Sequence, residues 1–210
     1  MSFLSRRAVL LATPALLLAM PFAGAEAALP ATPRATEGPF YPTKPPADDD
    51  SDLVRVEGAV REAGGEILHL GGRLLDRNAR PIAAARVEIW QCDANGIYLH
   101  PGDRRRGERD TAFQGFGHAL SDAEGRFGFR TIVPVPYSGR TPHIHVKLWR
   151  NDRAVLTTQL YRAGFPQNAT DFLFRRLSPE EQERVSMTLA PLSGAESPTF
   201  EAEVQIVLAS

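Results

Sequence analysis

The sequence predicts an all-β fold, a β-sandwich of mostly antiparallel strands with long loops and one short C-terminal helix. Apolar and polar residues alternate in short segments, most clearly over residues 86–90 and 200–208. A period of two is the pattern of a strand with one buried face. Stretches rich in Gly, Pro, Asn and Asp separate these segments at short intervals, as turns do in a sandwich.

Residues 1–27 predict an export signal peptide. Arg6 and Arg7 precede an apolar run over residues 8–20, and A-x-A cleavage patterns follow at residues 23–27. Adjacent arginines at this place are typical of the twin-arginine route, although ordinary secretory signals also contain such pairs. The run is short for a membrane span, which needs about 20 apolar residues. We therefore expect a bacterial, periplasmic or secreted protein without stable membrane insertion.

Residues 28–52 predict an extended N-terminal arm, and residues 53–210 a single β-sandwich domain. The arm is rich in Pro, Thr and Asp and shows no hydrophobic period. It contains the stretch Thr36–Pro42 (TEGPFYP), which is too aromatic for a plain linker. Its simplest interpretation is a loop that packs its Phe and Tyr on the surface of the domain.

The domain is expected to hold five strands, one helix and tight turns between them. The predicted strands cover residues 54–58, 67–75, 86–90, 126–132 and 200–208, and the predicted turns cover residues 76–81, 93–96 and 121–125. Near the C-terminus, Ser178 has the position of an N-cap, Pro179 that of the first helical residue and Glu181 that of a capping box. The helix predicted there continues into an apolar segment over residues 185–189.

Charge and cysteine content exclude several classes of protein. The chain has 24 Lys and Arg against 25 Asp and Glu, a net charge of −1, and no basic stripe interleaved with aromatic residues, so nucleic acid is not an expected partner. The basic run at residues 104–106 lies between Asp103 and Glu108 and predicts a solvated loop. Cys92 is the single cysteine, which rules out an intramolecular disulfide.

The segment around His143-Ile144-His145 predicts a metal site. Val146 and its neighbours make the segment strand-like, so a period of two places both imidazoles on one face and Ile144 on the other. Prolines at positions 134, 136 and 142 stiffen the preceding loop. That loop carries Tyr137 and Arg140, which are therefore held close to the two histidines.

The tyrosines indicate which metal such a site would hold. The chain has four, and each lies in a loop or turn motif outside the predicted core strands: Tyr41, Tyr98, Tyr137 and Tyr161. Two phenolates beside two neutral imidazoles make a hard, oxygen-rich donor set that favours a trivalent ion. Two phenolates and one hydroxide also sum to −3, which balances iron(III) and allows the centre to be buried without net charge.

The sequence resembles the intradiol ring-cleavage dioxygenases, in particular the protocatechuate 3,4-dioxygenase β-chain type and its small exported relatives. The resemblance covers nearly all of the chain after the signal peptide. It is carried by the segments Thr36–Tyr41, Gly72–Asp76 with Pro81, Val87–Gln91, Asp93–Tyr98, Phe113–Gly117, Pro136-Tyr137, Arg140 with Pro142–His145, and Thr158–Tyr161.

The resemblance implies a non-haem iron(III) enzyme that cleaves a catechol-type ring between its two hydroxyl-bearing carbons. The other substrate would be O2, and the product a muconate-type dicarboxylic acid. It implies these site residues: Tyr98, Tyr137, His143 and His145 as iron ligands, Tyr137 also as the ligand that leaves when a catechol chelates, Arg140 and Gln159 as polar groups over the substrate, and Gly38, Pro39 and Tyr41 at the pocket mouth.

Two positions depart from the family's pattern. Gly139 stands where the protocatechuate enzymes tend to carry a tryptophan, which leaves the wall of the substrate site open. Ala79 occupies a turn position that is usually glycine, and we expect Asn78 to make that turn tolerable. The identity of the catechol is not predicted, and a homo-oligomer remains an open expectation.

Two other classes of protein are alternatives. A non-catalytic exported β-sandwich that binds a ligand would explain residues 72–90 but would leave the tyrosine and histidine placements to chance. A copper protein would use His143, His145 and Cys92, since thiolate with imidazole suits copper. No methionine stands beside Cys92 in the sequence, which counts against the copper alternative.

Overall fold

The structure of the chain, a computed structural model, describes residues 27–195 and 197–209. The predicted signal peptide therefore lies outside the described residues, apart from its last position. Over the described ranges, no helix combines the length and the apolar character that crossing a bilayer requires.

The described residues form nine β-strands and one α-helix, as the all-β prediction requires. The strands are β1 (Ile67–Asp76), β2 (Arg86–Trp90), β3 (Phe116–Leu120), β4 (Arg126–Ile132), β5 (His143–Arg150), β6 (Arg153–Arg162), β7 (Ser186–Met187), β8 (Ala190–Pro191) and β9 (Thr199–Leu208). The helix α1 covers Pro179–Arg184, and short 3₁₀ turns cover Arg106–Glu108, Pro166–Ala169 and Phe174–Arg176.

The strands make two sheets packed face to face. One sheet has the order β4-β1-β9-β8 and the other the order β3-β2-β5-β6-β7. Two pairs, β1 with β9 and β6 with β7, are parallel, and the other pairs are antiparallel. The fold is thus the mostly antiparallel sandwich that the alternating segments predict.

The hydrophobic core lies between the two sheets. The four-stranded sheet contributes alternate residues such as Leu70 and Val204, and the five-stranded sheet contributes Val87, Ile144 and Leu160. Each of these side chains is at most 9% exposed. Strands β2, β5 and β6 therefore turn one face into this core, which leaves the opposite face of the five-stranded sheet for other groups.

The strand predicted at residues 54–58 is wrong. Leu53 and Val54 are adjacent in the chain and both fully buried, whereas adjacent side chains of a strand point to opposite faces. The Asp52 side chain accepts a hydrogen bond from the Val54 N–H at 3.2 Å, and the chain turns there. The prediction also did not include β3, β6 or the two-residue strands β7 and β8.

The N-terminus of helix α1 is confirmed, but the helix is shorter than predicted. Ser178 and Glu181 form the reciprocal capping box, with Pro179 in the first turn. The helix ends at Arg184, and the Val185 carbonyl accepts the Tyr161 N–H of β6 at 2.7 Å. Met187 then belongs to β7, so pairing with β6 overrides any continuation of the helix.

Residues 27–51 contain no strand or helix and lie across both sheets. The Thr32 N–H donates to the Val207 carbonyl at 2.9 Å, and the Thr32 hydroxyl accepts the Val207 N–H at 2.9 Å. Further on, the Ala35 N–H donates to Thr157 in β6. This path carries residues 36–41 to the face of the five-stranded sheet opposite the core. The division into arm and domain at residue 52 stays a prediction.

Candidate metal centre

Strand β5 places both predicted histidine ligands on the sheet face opposite the core. Ile144 points into the inter-sheet core, and His143 and His145 lie on the other face, each at most 2% exposed. Their Nε2 atoms are 3.2 Å apart. The alternation of the strand therefore brings two imidazole nitrogens to one point, as the sequence predicts.

The register of the neighbouring strands surrounds these histidines. Trp90 of β2 and Gln159 of β6 lie on either side of His145, and Tyr161 of β6 lies beside His143. Residues paired across an antiparallel ladder share a face and touch, and the Trp90 ring stacks on His145 at 4.7 Å with an interplanar angle of 12°. The stack holds the His145 ring in one orientation.

Tyr98 reaches the histidines from the turn after β2. The Asp93 carbonyl accepts the Gly96 N–H at 2.9 Å, and Asp93 Oδ1 accepts the Ile97 N–H at 3.0 Å. Gly96 has a φ of +74°, and a Cβ there would lie 3.4 Å from Tyr137 Cβ. Glycine therefore permits both the left-handed turn and the close approach of the two tyrosine segments.

Tyr137 and Arg140 are the ends of one tight turn. The Arg140 N–H donates to the Tyr137 carbonyl at 2.7 Å. Ser138 and Gly139 between them both have positive φ, 43° and 79°, as in a type I′ turn. Gly139 thus meets a backbone requirement, and the turn fixes the spacing between a phenol and a guanidinium.

The four predicted ligands converge. The ring centroids of Tyr98 and Tyr137 are 4.8 Å apart, those of Tyr137 and His143 5.4 Å, and those of Tyr98 and His145 6.2 Å. Tyr98 is 1% exposed. Side chains from a β-turn, a type I′ turn and one strand therefore form a single cluster of two phenols and two imidazoles.

The histidines are neutral in this environment. Burial, with the nearby charge of Arg140, lowers the pKa of His143 to about 4, and burial with the same charge and His143 lowers the pKa of His145 well below its usual value. His143 Nδ1 lies 2.7 Å from the Thr141 carbonyl oxygen. It therefore donates from Nδ1 and keeps a lone pair on Nε2, the form in which imidazole binds metals.

The donor atoms fit a cation better than they fit one another. Tyr98 Oη is buried and has no hydrogen-bond partner among the described residues, although buried polar groups in proteins are nearly always paired. Burial raises the pKa of Tyr98 and, to a lesser degree, that of Tyr137, so each phenol needs a neighbouring cation to ionise. Two phenolates and two imidazoles suit iron(III).

Tyrosine supplies half of this donor set. Among the described residues, no three His, Cys, Asp or Glu side chains lie together at metal-binding distance, so the two phenols are essential to the candidate centre.

A polar network extends from the cluster to Arg140 and Gln159. Arg140 Nη2 donates to Gln159 Oε1 at 2.7 Å, and the Tyr161 hydroxyl donates to the same oxygen at 2.8 Å. Arg140 Nε donates to Asp171 Oδ2 at 2.7 Å. Arg140 is 8% exposed and Gln159 fully buried, so the two predicted polar residues are part of one fixed network beside the cluster.

The arm brings some of its predicted residues to the cluster. An added Cβ at Gly38 would lie 3.4 Å from His145 Cε1, whereas Pro39 is exposed. The Tyr41 hydroxyl donates to Glu88 at 2.8 Å. It is Phe40 that stacks on Tyr98, at 4.7 Å and 19°.

Sequence reasoning missed three residues of this site: Phe40, Tyr161 and Asp171. The first two lie in segments that carry the resemblance, Phe40 between Pro39 and Tyr41 and Tyr161 two residues after Gln159, so an aromatic residue close to a named position was the available signal. Asp171 has no signal in the sequence, because it lies in an ordinary loop between two 3₁₀ turns.

A cleft of about 580 Å³ opens beside Tyr137 and Phe40. Its other side is formed by the loop with Asp103, Arg104 and Arg105. The basic run is exposed, as a solvated loop should be, but it also borders the cleft that Tyr137 lines.

A family profile and individual relatives both match this chain to dioxygenases. A dioxygenase family profile matches residues 36–205. The protocatechuate 3,4-dioxygenase β chain of Burkholderia cepacia is 33% identical over 155 residues, covering 70% of this chain and 66% of that protein. The catechol 1,2-dioxygenase of Acinetobacter baylyi is 30% identical over 162 residues, covering 69% of this chain and 50% of that protein.

A solved structure shares the fold along its whole length. The dioxygenase domain of a dioxygenase and carbohydrate-binding fusion protein from Streptomyces sp. SirexAA-E superimposes with a TM-score of 0.65 and 34% identity, covering 86% of this chain and 99% of that one. The chain spans between half and two thirds of the length of the two curated relatives. With the family profile matched over most of its residues, the chain belongs to the intradiol ring-cleavage dioxygenases.

Proposed function

We propose that this protein is an iron(III) enzyme that cleaves a catechol-type ring between its two hydroxyl-bearing carbons with O2. The product would be a muconate-type dicarboxylic acid. The observation that carries the proposal is the buried convergence of two phenols and two neutral imidazoles, with the two Nε2 atoms 3.2 Å apart and Tyr98 Oη left without a hydrogen-bond partner among the described residues.

The residues that would hold the metal are Tyr98, Tyr137, His143 and His145. Two phenolates with a hydroxide balance iron(III), so the buried centre carries no net charge. Ferric iron bound there would supply the Lewis acidity that makes a chelated catechol reactive toward O2.

Tyr137 is suited to accept a proton from the substrate. Its side chain is only partly buried and borders the cleft, whereas Tyr98 is closed in under Phe40. An incoming catechol therefore meets Tyr137 Oη first. As a phenolate, that oxygen can take one hydroxyl proton of the diol, in the manner of a positioned general base.

Arg140 is suited to stabilise negative charge on the substrate. It follows Tyr137 by three residues in the same turn, and Gln159 and Asp171 hold its guanidinium. A fixed cation near the reacting ring stabilises charge that develops there without needing to reorganise. Burial strengthens that effect because the local dielectric is low.

The site does not favour the copper alternative. Cys92 Sγ donates to the Val135 carbonyl at 3.8 Å, and burial, with Asp93 adding to it, raises the pKa of the thiol to about 12. A neutral thiol is a poor copper ligand, since metals bind the thiolate. Membership of a dioxygenase family likewise favours an enzyme over a binding module.

Metal content, colour and oxygen uptake test the proposal. The purified protein should contain one iron per chain and show a tyrosinate-to-iron absorption band, and it should consume O2 with at least one of catechol, hydroxyquinol and protocatechuate. Tyr98→Phe and Tyr137→Phe should each weaken and shift the band, and Tyr41→Phe, whose hydroxyl binds Glu88, should leave it unchanged. A colourless, iron-free protein that still cleaved catechols would overturn the assignment.

We also propose export through the twin-arginine route, and we leave assembly open as a homo-oligomer or a monomer. Replacing Arg6 and Arg7 with lysine should keep the protein inside the cell if the twin-arginine route carries it. Export of the lysine variant at the parent level would instead indicate the general secretory route.

A further inference from the structure

The carboxylate of Asp171 is fully buried and accepts four N–H groups. Oδ1 accepts the backbone N–H groups of Leu173 at 3.0 Å and Phe174 at 2.9 Å. Oδ2 accepts the Thr141 N–H at 3.1 Å and Arg140 Nε at 2.7 Å. One oxygen thus holds Asp171's own loop, and the other holds the segment that carries Arg140.

Only an ionised carboxylate can satisfy that arrangement. All four partners are donors, and an asparagine would offer two acceptor positions on one side and an NH2 group on the other. Burial alone would raise the pKa of Asp171, but hydrogen bonds from Arg140, Phe174 and Thr141 outweigh burial and lower it. The carboxylate is therefore charged at neutral pH and forms a buried ion pair with the guanidinium.

The other contacts of Arg140 leave one donor group for a ligand. Nε binds Asp171, and Nη2 binds Gln159 and lies 3.5 Å from the Tyr161 hydroxyl. Nη1 makes no hydrogen bond to any of the residues that the structure describes. The ring of Phe172, which is 58% exposed, lies 5.2 Å from the guanidinium carbon and covers the guanidinium.

We propose that Asp171 is the positioning residue for Arg140, holding the guanidinium so that Nη1 is the donor aimed at the substrate. The proposal rests on the proposed function, because it gives Arg140 its role toward the catechol. An arginine side chain has several rotatable bonds, and its contribution to a rate depends on being held in place before the reaction. The pair Asp171–Arg140 supplies that constraint from a loop 31 residues away.

A double-mutant cycle tests the proposal. Asp171→Asn, Arg140→Met and the double variant are loaded with iron and compared by kcat, KM, the visible band and the spectral shift on adding catechol without oxygen. Each single variant should keep the iron, the band and the catechol-induced shift. Arg140→Met should lower kcat about a hundredfold, the usual cost of losing one such stabilising group, and Asp171→Asn should lower kcat about tenfold or more for the same reason.

The decisive comparison is the effect of Asp171→Asn in the Arg140→Met background. It should be less than about twofold on kcat, since coupled residues are not additive, and the loss in thermal stability should also be smaller there, because the buried ion pair is already broken. Asp110→Asn is the matched control, because Asp110 is also buried, pairs with Arg61 and accepts backbone N–H groups away from the cluster. It should lower the melting temperature and keep the parent kcat.

Three results would overturn the proposal: a parent-like kcat for Asp171→Asn, the same fold-loss of kcat in both backgrounds, or an equal loss of kcat for Asp110→Asn. If Asp171→Asn does not fold, Arg140→Lys replaces it, since lysine can keep the ion pair but not the Nη1 group. Its kcat should match that of Arg140→Met, and a parent-like kcat would contradict the positioning role. If the parent protein binds iron and cleaves a catechol, the proposed function holds, and a failed test counts only against the role of Asp171. If the parent protein does neither, the proposed function itself fails.

Discussion

The two faces of strand β5 are both buried, but they are used in opposite ways. Ile144, Val146 and Leu148 face the inter-sheet core, where apolar side chains pack against apolar side chains. On the other face, His143 and His145 are equally buried, yet they lie among phenols, and the Tyr98 hydroxyl beside them has no partner among the described residues. The core face of β5 buries apolar side chains only, whereas the site face lies beside a buried polar atom without a hydrogen-bond partner among the described residues.

The difference shows that the site face of β5 contributes less to stability than the core face does. Burying a polar group without a hydrogen bond costs on the order of 1–3 kcal/mol, so the site face opposes folding unless a cation compensates it. The core face has the reverse balance, because burying Leu, Ile or Val stabilises by roughly 1.5–3 kcal/mol per side chain. Sites that violate local rules in this way are characteristic of function.

The largest expected effect comes from removing an imidazole on the site face. His143→Ala and His145→Ala should each lose most of the bound iron and nearly all turnover, because losing a direct ligand costs more than the 10–100-fold that even an outer partner costs. The melting temperature of the iron-free protein should change little. Iron analysis and oxygen uptake measure the outcome, with His69→Ala as control, since His69 lies in the four-stranded sheet. Full iron retention in both variants would place the ligands elsewhere.

A change on the core face of the same strand should have the opposite signature. Ile144→Ala should lower the free energy of unfolding by about 2–5 kcal/mol through lost burial and the cavity left behind. The fraction that stays folded should still bind one iron per chain. Urea unfolding and iron content per folded protein are the measurements, and loss of iron without loss of stability would mean that the two faces are not separate.

Removing the iron should have an effect on stability near the lower end of the range expected for that core substitution. The core face is complete without metal, so the chelated protein should stay folded. Bound iron at a hundred times its dissociation constant would add about 2.7 kcal/mol, and its removal should lower the melting temperature by about 5–10 °C. Unfolding on chelation would show that the site face is needed for the fold itself.

The smallest effect is expected at a position remote from both faces. Ala79 has a φ of +59° in the turn after β1, a conformation that costs a residue with a Cβ roughly 1–2 kcal/mol. Glycine removes that cost but adds chain entropy to the unfolded state, so Ala79→Gly should raise stability by at most about 1 kcal/mol. Iron content and kcat should be unchanged. A lower melting temperature would show that the turn is not strained.

The predicted strands show what local pattern can and cannot reveal. Strands β1, β4 and β9 have one largely buried face and a recognisable alternation, and the sequence predicts them. Strand β2 is buried on both faces over Val87–Trp90, but its charged residues Arg86 and Glu88 keep the alternation visible. Strand β6 is buried on both faces over residues 158–161, so its sequence does not alternate, as expected of a strand covered on both sides. The strand wrongly predicted at residues 54–58 has the reverse cause. The adjacent apolar residues Leu53 and Val54 lie in a turn, and both pack into the core.

The sequence by itself determined the all-β class, the capping box at Ser178 and the common face of His143 and His145. Each follows from backbone geometry over a few residues, since a strand repeats every two residues and a cap spans four. Only the tertiary structure decided that Phe40 stacks on Tyr98, that Tyr161 lies beside His143 and that Asp171 holds Arg140. These contacts join residues far apart in the chain. Strand register, loop path and packing decide which residues meet, and no local sequence pattern can predict that.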